Sequence, residues 1–214
     1  MSETQERSAA CCRNSSETQE RSAACCRMTR ETDVEVKLTI GCTGDVALDT
    51  GIGFFDHMLE LLARHGGMSL SVKAKGDLRV DGHHTVEDIG IVTGKALAEA
   101  LGDKKGIRRY GCAVIPMDEA LATCALDISG RPFIVFDAKY TGEKVGDFDT
   151  ELAQEFFRAL AFAAGLTLHL RCDYGGNDHH KIEAMFKAFA RAFREASSID
   201  PDAPDEIPSS KGVL

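Results

Sequence analysis

The sequence predicts an α+β fold made by duplicating one β/α unit, with two sheets packed against a layer of helices. Two observations carry that reading. The motif His-His-x-x-Glu occurs twice, at His83-His84-Thr85-Val86-Glu87 and at His179-His180-Lys181-Ile182-Glu183. Ahead of each copy the order is the same, helix, strand and turn: Gly67-Met68-Ser69-Leu70-Ser71-Val72-Lys73 aligns with Gly165-Leu166-Thr167-Leu168-His169-Leu170-Arg171. Repeated supersecondary units bury their apolar faces against each other, which favours this arrangement over a doubly wound parallel sheet. The pseudo-repeats run over about 31–105 and 106–197, and a Pro-rich tail follows.

At 214 residues the chain is long enough for one large domain or two small repeats with a real core. A formal charge of 25 − 34 = −9 argues against nucleic acid or a membrane surface as general partner. No apolar run approaches the roughly 18 residues of a membrane span and no signal-peptide core is present, so the expected compartment is the cytoplasm. The eight cysteines are scattered singly or as adjacent pairs, which suits reduced thiols better than a disulfide framework.

Residues 2–13, SETQERSAACCR, recur letter for letter as 16–27. Lacking hydrophobic periodicity, residues 1–27 read as a duplicated leader outside the fold, with the folded domain over 28–214 and deletion of 2–27 expected to be harmless. Val34, Val36, Leu38 and Ile40 alternate with polar residues as in a half-buried strand. Phe54 to Ala63 reads as a helix stopped at Gly66-Gly67, and Met68 to Ala74 as an alternating strand. A turn then delivers the first motif at the head of a helix reaching about Leu101. The second half reads as strands near 113–115, 121–128 and 133–138, a helix over 150–164, a strand over 166–172 and a helix over 179–196.

On a helix the motif glutamate falls about 40° from the first histidine and about 60° from the second, so a carboxylate sits between two imidazoles. Adjacent histidines point about 100° apart, and each motif therefore suits two ions better than one. A lone helical histidine is more often structural, and a solvated helix start would explain one such cluster, but two equivalent clusters in a repeat point to metal. The register places His57 opposite Glu155. His57, His83, His84, Glu87, Glu155, His179, His180 and Glu183 thus make four groups for each of two ions, with positions left open for substrate. Mixed nitrogen and oxygen ligation fits Mn, Fe or Zn, and Mn best if octahedral sites are to stay open. Because the motifs belong to different repeats, some ligands are expected from a neighbouring subunit.

Basic residues are a second theme: Arg109, Arg131, Lys187 at i+4 from Glu183, and Lys211 after Ser209-Ser210. Each alone is ordinary surface charge; brought together they would cradle a phosphate.

These residues resemble the imidazoleglycerol-phosphate dehydratase family of histidine biosynthesis. The matches are Arg30-Glu31-Thr32, Asp56-His57-Met58-Leu59, His83 to Asp88, Gly106 to Gly111, Asp127 to Pro132, Gly175 to Lys187 and Pro208 to Leu214. The resemblance implies a duplicated unit of the ribosomal-protein-S5 domain-2 type, two Mn ions per site held between subunits, and trimers assembling into a 24-subunit shell. It also implies loss of water from D-erythro-imidazoleglycerol phosphate to give imidazole-acetol phosphate. It assigns His57, His83, His84, Glu87, His179, His180 and Glu183 to metal, and Arg109, Arg131, Lys187, Ser209, Ser210 and Lys211 to phosphate. Glu31 matches a catalytic-pocket glutamate. The chain departs from many members at Glu155, where they carry histidine, and at Leu61, where they carry glutamine.

For that substrate, the hydrogen lost is hardly acidic. Binding both imidazole nitrogens to metal would stabilise an imidazolate and let hydroxide leave through a diazafulvene-like intermediate. Glu183, with Glu31 competing, is the expected proton carrier. The alternatives are a Mn store, which leaves the basic residues idle, and a di-metal hydrolase of a phosphorylated substrate.

Overall fold

The computed structural model describes residues 21–212 and 214. The first half is β1 (Ser22–Met28), β2 (Thr32–Ile40), β3 (Val46–Asp49), α1 (Gly53–Gly66), β4 (Met68–Gly76) and α2 (His83–Leu101). The second is β5 (Tyr110–Met117), β6 (Ala120–Asp127), β7 (Phe133–Asp137), a short β8 (Lys144–Val145) and β9 (Phe148–Asp149), then α3 (Leu152–Ala164), β10 (Thr167–Tyr174) and α4 (Asp178–Ser197). One sheet has the order β1-β2-β4-β3 and the other β5-β6-β10-β7. In each, the first three neighbours pair antiparallel and the last pair is parallel. The α+β fold and its duplication are therefore as the sequence implied, with β8 and β9 as an insertion in the second half.

The start of the domain needs correcting. Residues 22–27, expected in the leader, belong to β1, which pairs with β2 from Ser22↔Thr39 to Met28↔Asp33. The reason lies in the duplication: β5 precedes β6, so a strand must precede β2 if β2 is to have a neighbour on that edge. Ala23 and Cys25 of β1 pack against the core, and Arg27 pairs with Asp88 on α2. Deleting 2–27 would therefore take all but Met28 of β1 with it. The first copy of the repeat lies outside the described residues.

Strand β2 buries Thr32, Val34, Val36, Leu38 and Ile40 and turns Asp33, Glu35 and Lys37 outward, the period of two that covers one sheet face with helices. The helices cross between halves: α2 packs on α3, and α1 on α4. Gly90 and Gly94 make the first crossing close, since a Cβ on Gly94 would lie 2.5 Å from the Leu160 carbonyl oxygen. Around the second, Phe55, Phe156, Phe157, Phe186 and Phe189 are fully buried, with Phe156 stacked on Phe186 at 5.3 Å between centroids. The tail folds back: Asp200 N donates to Gly106 O at 2.7 Å and Gly106 N to Glu206 O at 2.8 Å. Among the described residues six cysteines are free thiols, and no helix is long and apolar enough to cross a membrane.

Candidate metal centre

Both motif helices begin on the same local device. Asn177 accepts from the backbone N–H groups of His179 and His180, and Asp81, at the matching place, accepts from His83 N at 2.8 Å. An oxygen two residues ahead of the first histidine thus fixes the angle at which each helix presents its pair.

The helix crossings then assemble half-sites from opposite repeats. His57 on α1 meets His179 and Glu183 on α4, with one ligand atom from each within 4.8 Å of the others. Glu183 Oε2 stands 3.1 Å from His179 Nε2 and 3.7 Å from His57 Nε2. Donors bound to one ion at about 2.2 Å in cis octahedral positions lie about 3.1 Å apart, so this set fits a divalent metal. The other oxygen of Glu183 accepts from Lys187 Nζ at 2.6 Å. Burial works against ionisation of Glu183, but Lys187 and His179 outweigh it and hold its carboxyl below the usual range.

The matching group on α2 and α3 is more open. His83 Nε2 is 4.0 Å from Glu87, and the guanidinium of Arg158 lies between the two carboxylates, 2.9 Å from Glu87 and 2.6 Å from Glu155. Glu155 is thus on the α2 side, as its register with His57 required, and its charge is met by Arg158. Glu155, ahead of Glu87, raises the Arg158 pKa above its ordinary value.

The second histidine of each motif faces away from these groups. His84 Nδ1 lies 3.0 Å from Asp77 and 3.8 Å from Glu31, and His180 Nδ1 lies 2.7 Å from Glu119. Both imidazoles titrate above their ordinary value, His84 because of its bond to Asp77 and His180 because of its bond to Glu119. The Glu119 carboxyl is drawn down to about 2 by His180 first and by the Asn177 and Gly176 N–H groups. His180 Nε2 stands 3.7 Å from Asp118 Oδ2.

The basic residues divide into two places. Arg109 grips Asp127 through Nε at 2.7 Å and Nη2 at 3.2 Å, and its Nη1 donates to the Pro208 carbonyl at 2.8 Å. Arg131 Nη2 stands 3.8 Å from the same Asp127, and Leu214 lies against Gly130, so Arg131 and the tail bearing Ser209, Ser210 and Lys211 gather beside Arg109. Lys187 is elsewhere, with Nζ 3.5 Å from Met117 Sδ. Met117 and Tyr110 are opposite ends of β5. At about 3.3 Å per residue that separation is on the order of 20 Å, too far for one phosphate on one chain. Leu61 is half-buried on α1 and packs against the core.

Sequence reasoning missed Asp77, Glu119, Asp127, Arg158 and the Arg27–Asp88 pair. It also missed Lys181, a buried lysine whose Nζ bonds Asp178 and the Lys139 carbonyl at 2.8 and 2.9 Å. Asp77 and Glu119 sit in turns and the others on strands and helices, where spacing carries no sign of what they touch across the fold. Glu119 had a signal of its own: in the second half it occupies the place of Glu31, immediately before the second strand.

The family model for imidazoleglycerol-phosphate dehydratase matches residues 50–193. The imidazoleglycerol-phosphate dehydratase of Acetivibrio thermocellus is 57% identical over 183 residues, which cover 86% of this chain and 93% of that one. That of Listeria welshimeri is 56% identical, covering 86% and 94%. The crystal structure of the Staphylococcus aureus enzyme has a TM-score of 0.76 at 45% identity, covering 84% of this chain and 99% of its own. That of the Pyrococcus furiosus enzyme in complex with (S)-C348 has a TM-score of 0.76 at 35% identity, covering 88% and 99%. With the duplicated topology, the crossed helices and the paired motifs at their ends, these likenesses establish that the chain belongs to the imidazoleglycerol-phosphate dehydratase family.

Proposed function

We propose that this chain removes water from D-erythro-imidazoleglycerol phosphate to give imidazole-acetol phosphate in histidine biosynthesis, with two Mn ions in each site. The observation that carries this reading is the His57–His179–Glu183 group, whose ligand atoms lie within 4.8 Å of one another. Its mixed nitrogen and oxygen donors suit Mn, and His83, Glu87 and Glu155 with His84 and His180 offer the second ion its ligands. Bound ions would supply Lewis acidity to the substrate's imidazole, easing loss of hydroxide.

The chain's own residues do the rest. Glu183 has both oxygens engaged, one toward the imidazoles and one on Lys187, which suits it to anchoring. Glu31 is more than half exposed and lies 3.8 Å from His84, so it has lone pairs to offer. Of the two candidates, Glu31 is the better placed to take and return the proton. Arg131, Ser209, Ser210 and Lys211 would hold the phosphate with Arg109, whose bonds to Asp127 and Pro208 also shape that corner. Lys187 would reach the same substrate from another subunit.

That division supports self-association into trimers and a 24-subunit shell. So does the outer face of the second sheet, where Tyr110, Val114 and Phe133 are each more than half exposed. The cytoplasm suits the free thiols. The test is incubation of the Mn-loaded protein with imidazoleglycerol phosphate. Ketone product is expected; its absence with metal bound would overturn the proposal, and release of inorganic phosphate would favour a hydrolase.

A further inference from the structure

The duplication makes Glu31 and Glu119 internal twins. Glu31 immediately precedes β2 and Glu119 immediately precedes β6, the second strand of each sheet. Each points a carboxylate oxygen toward Nδ1 of the second motif histidine in its own half, at 3.8 Å for Glu31 and His84 and at 2.7 Å for Glu119 and His180. The difference has a source in the turn after the third strand. There the first half carries Asp77, which takes His84 Nδ1 at 3.0 Å, and the aligned residue of the second half is Gly175, which has nothing to give. Glu31 is released from orienting a histidine, and Glu119 is not.

Glu119 is also committed on its other side. Its Oε1 accepts from the backbone N–H of Gly176 at 3.0 Å and of Asn177 at 2.7 Å, while Oε2 faces His180 Nδ1. A carboxylate has only acceptors to offer, so Nδ1 must carry the imidazole proton and Nε2 keeps its lone pair. The nearest carboxylate oxygen to that Nε2, Asp118 Oδ2, stands 3.7 Å away.

We propose that Glu119 is a positioning residue that locks His180 in the Nδ1–H tautomer and aims Nε2 at a divalent cation, the duty from which Asp77 frees its twin Glu31. The inference rests on the metal reading above. A metal-bound imidazole whose other nitrogen donates to a carboxylate is a general arrangement, and loss of such a partner weakens metal binding by about 10- to 100-fold.

Glu119→Gln separates this from a structural role. Two N–H donors demand an oxygen at the Oε1 position, which leaves the amide NH2 facing Nδ1. The imidazole must then move its proton to Nε2, where it blocks ligation. Glu119→Ala loses the turn bonds as well, but water can reach Nδ1 at this half-exposed site and either tautomer is allowed. Mn binding to metal-stripped protein, measured by titration calorimetry with melting temperatures in chelator, should show the two orders reversed. Glu119→Gln should bind at least ~10-fold more weakly than wild type with nearly wild-type melting. Glu119→Ala should melt lower yet bind Mn better than Glu119→Gln. Unchanged binding in Glu119→Gln, or binding losses that follow the melting order, would overturn the proposal. Failure of the metal reading looks different: the wild-type chain would then take up no Mn, and the role of Glu119 would fall with it.

Discussion

Replacing Arg27 by alanine tests whether the second copy of the N-terminal repeat is part of the fold. Arg27 Nε donates to Asp88 Oδ1 at 2.8 Å, and the other oxygen of Asp88 accepts from the Thr32 hydroxyl. Asp88 is almost buried on α2, next to Glu87, whereas the Arg27 side chain is 39% exposed. A hydrogen bond to a charged group contributes about 1.5–3 kcal/mol, and water around the half-open arginine brings the expected loss to the low end, about 1.5 kcal/mol. For a chain of this size 1 kcal/mol moves the melting temperature by about 2–4 °C, so Arg27→Ala should melt about 3–6 °C lower. The assay is thermal unfolding at one protein concentration in chelator, so that metal and assembly do not shift the comparison. Arg27→Ala and Asp88→Asn should combine with less than additive loss, because both remove one interaction. Deleting 2–15, which leaves residues 16–28 intact, should change nothing, while deleting 2–27 removes β1 and should exceed the point mutant. Arg27→Ala melting within 1 °C of wild type, or strict additivity with Asp88→Asn, would show that the Arg27–Asp88 pair does not hold β1 to the fold.

Three further outcomes follow from the same geometry. His179→Ala and Glu183→Ala should each lower Mn uptake, checked by metal analysis after gel filtration, whereas Arg109→Ala should raise KM and leave metal content unchanged; equal metal loss in all three would break the division between metal and phosphate. Asp147 reaches from the second half to accept from the Gly53 and Phe54 N–H groups at 2.7 and 3.1 Å, capping α1, so Asp147→Ala should destabilise by about 1 kcal/mol. Burial opposes ionisation of Asp147, but those two donors prevail and its folded pKa is depressed. Its stabilisation is therefore fully present above the unfolded value of about 3.9 and is lost as pH falls below it, and Asp147→Ala should flatten acid unfolding in that window. Arg158→Ala frees Glu87 and Glu155 together, so calorimetry should find Mn binding altered, while an identical isotherm would show that neither carboxylate serves the metal.

Much of the architecture was legible because periodicity and duplication are local properties. Alternation in β2 and β4 marked their buried faces, and two copies of one motif behind two copies of one strand announced a repeat. The register also set Glu155 opposite His57, though it could not say which motif either would join. The start of the domain was not legible. Residues 2–13 and 16–27 are the same string, and deleting 2–15 or 14–27 would leave the same protein, so the repeat by itself gave no reason to draw the domain boundary inside it. The edge of β2 and the carboxylate of Asp88 are what residues 22–28 meet.

Residue types and their spacing were enough to name the side chains that could do the chemistry: imidazoles and carboxylates in fixed helical spacing, and basic residues enough for a phosphate. Tertiary structure decided their company, because the helices cross between halves. His57 serves the second motif and Glu155 the first, which spacing along the chain cannot express. Long-range contact also drew Asp77 and Glu119 from unremarkable turns onto the second histidines, and parted Lys187 from Arg109 by the length of β5. A titratable side chain takes its role from the atoms that share its space, and those are fixed only when strands and helices distant in sequence have packed.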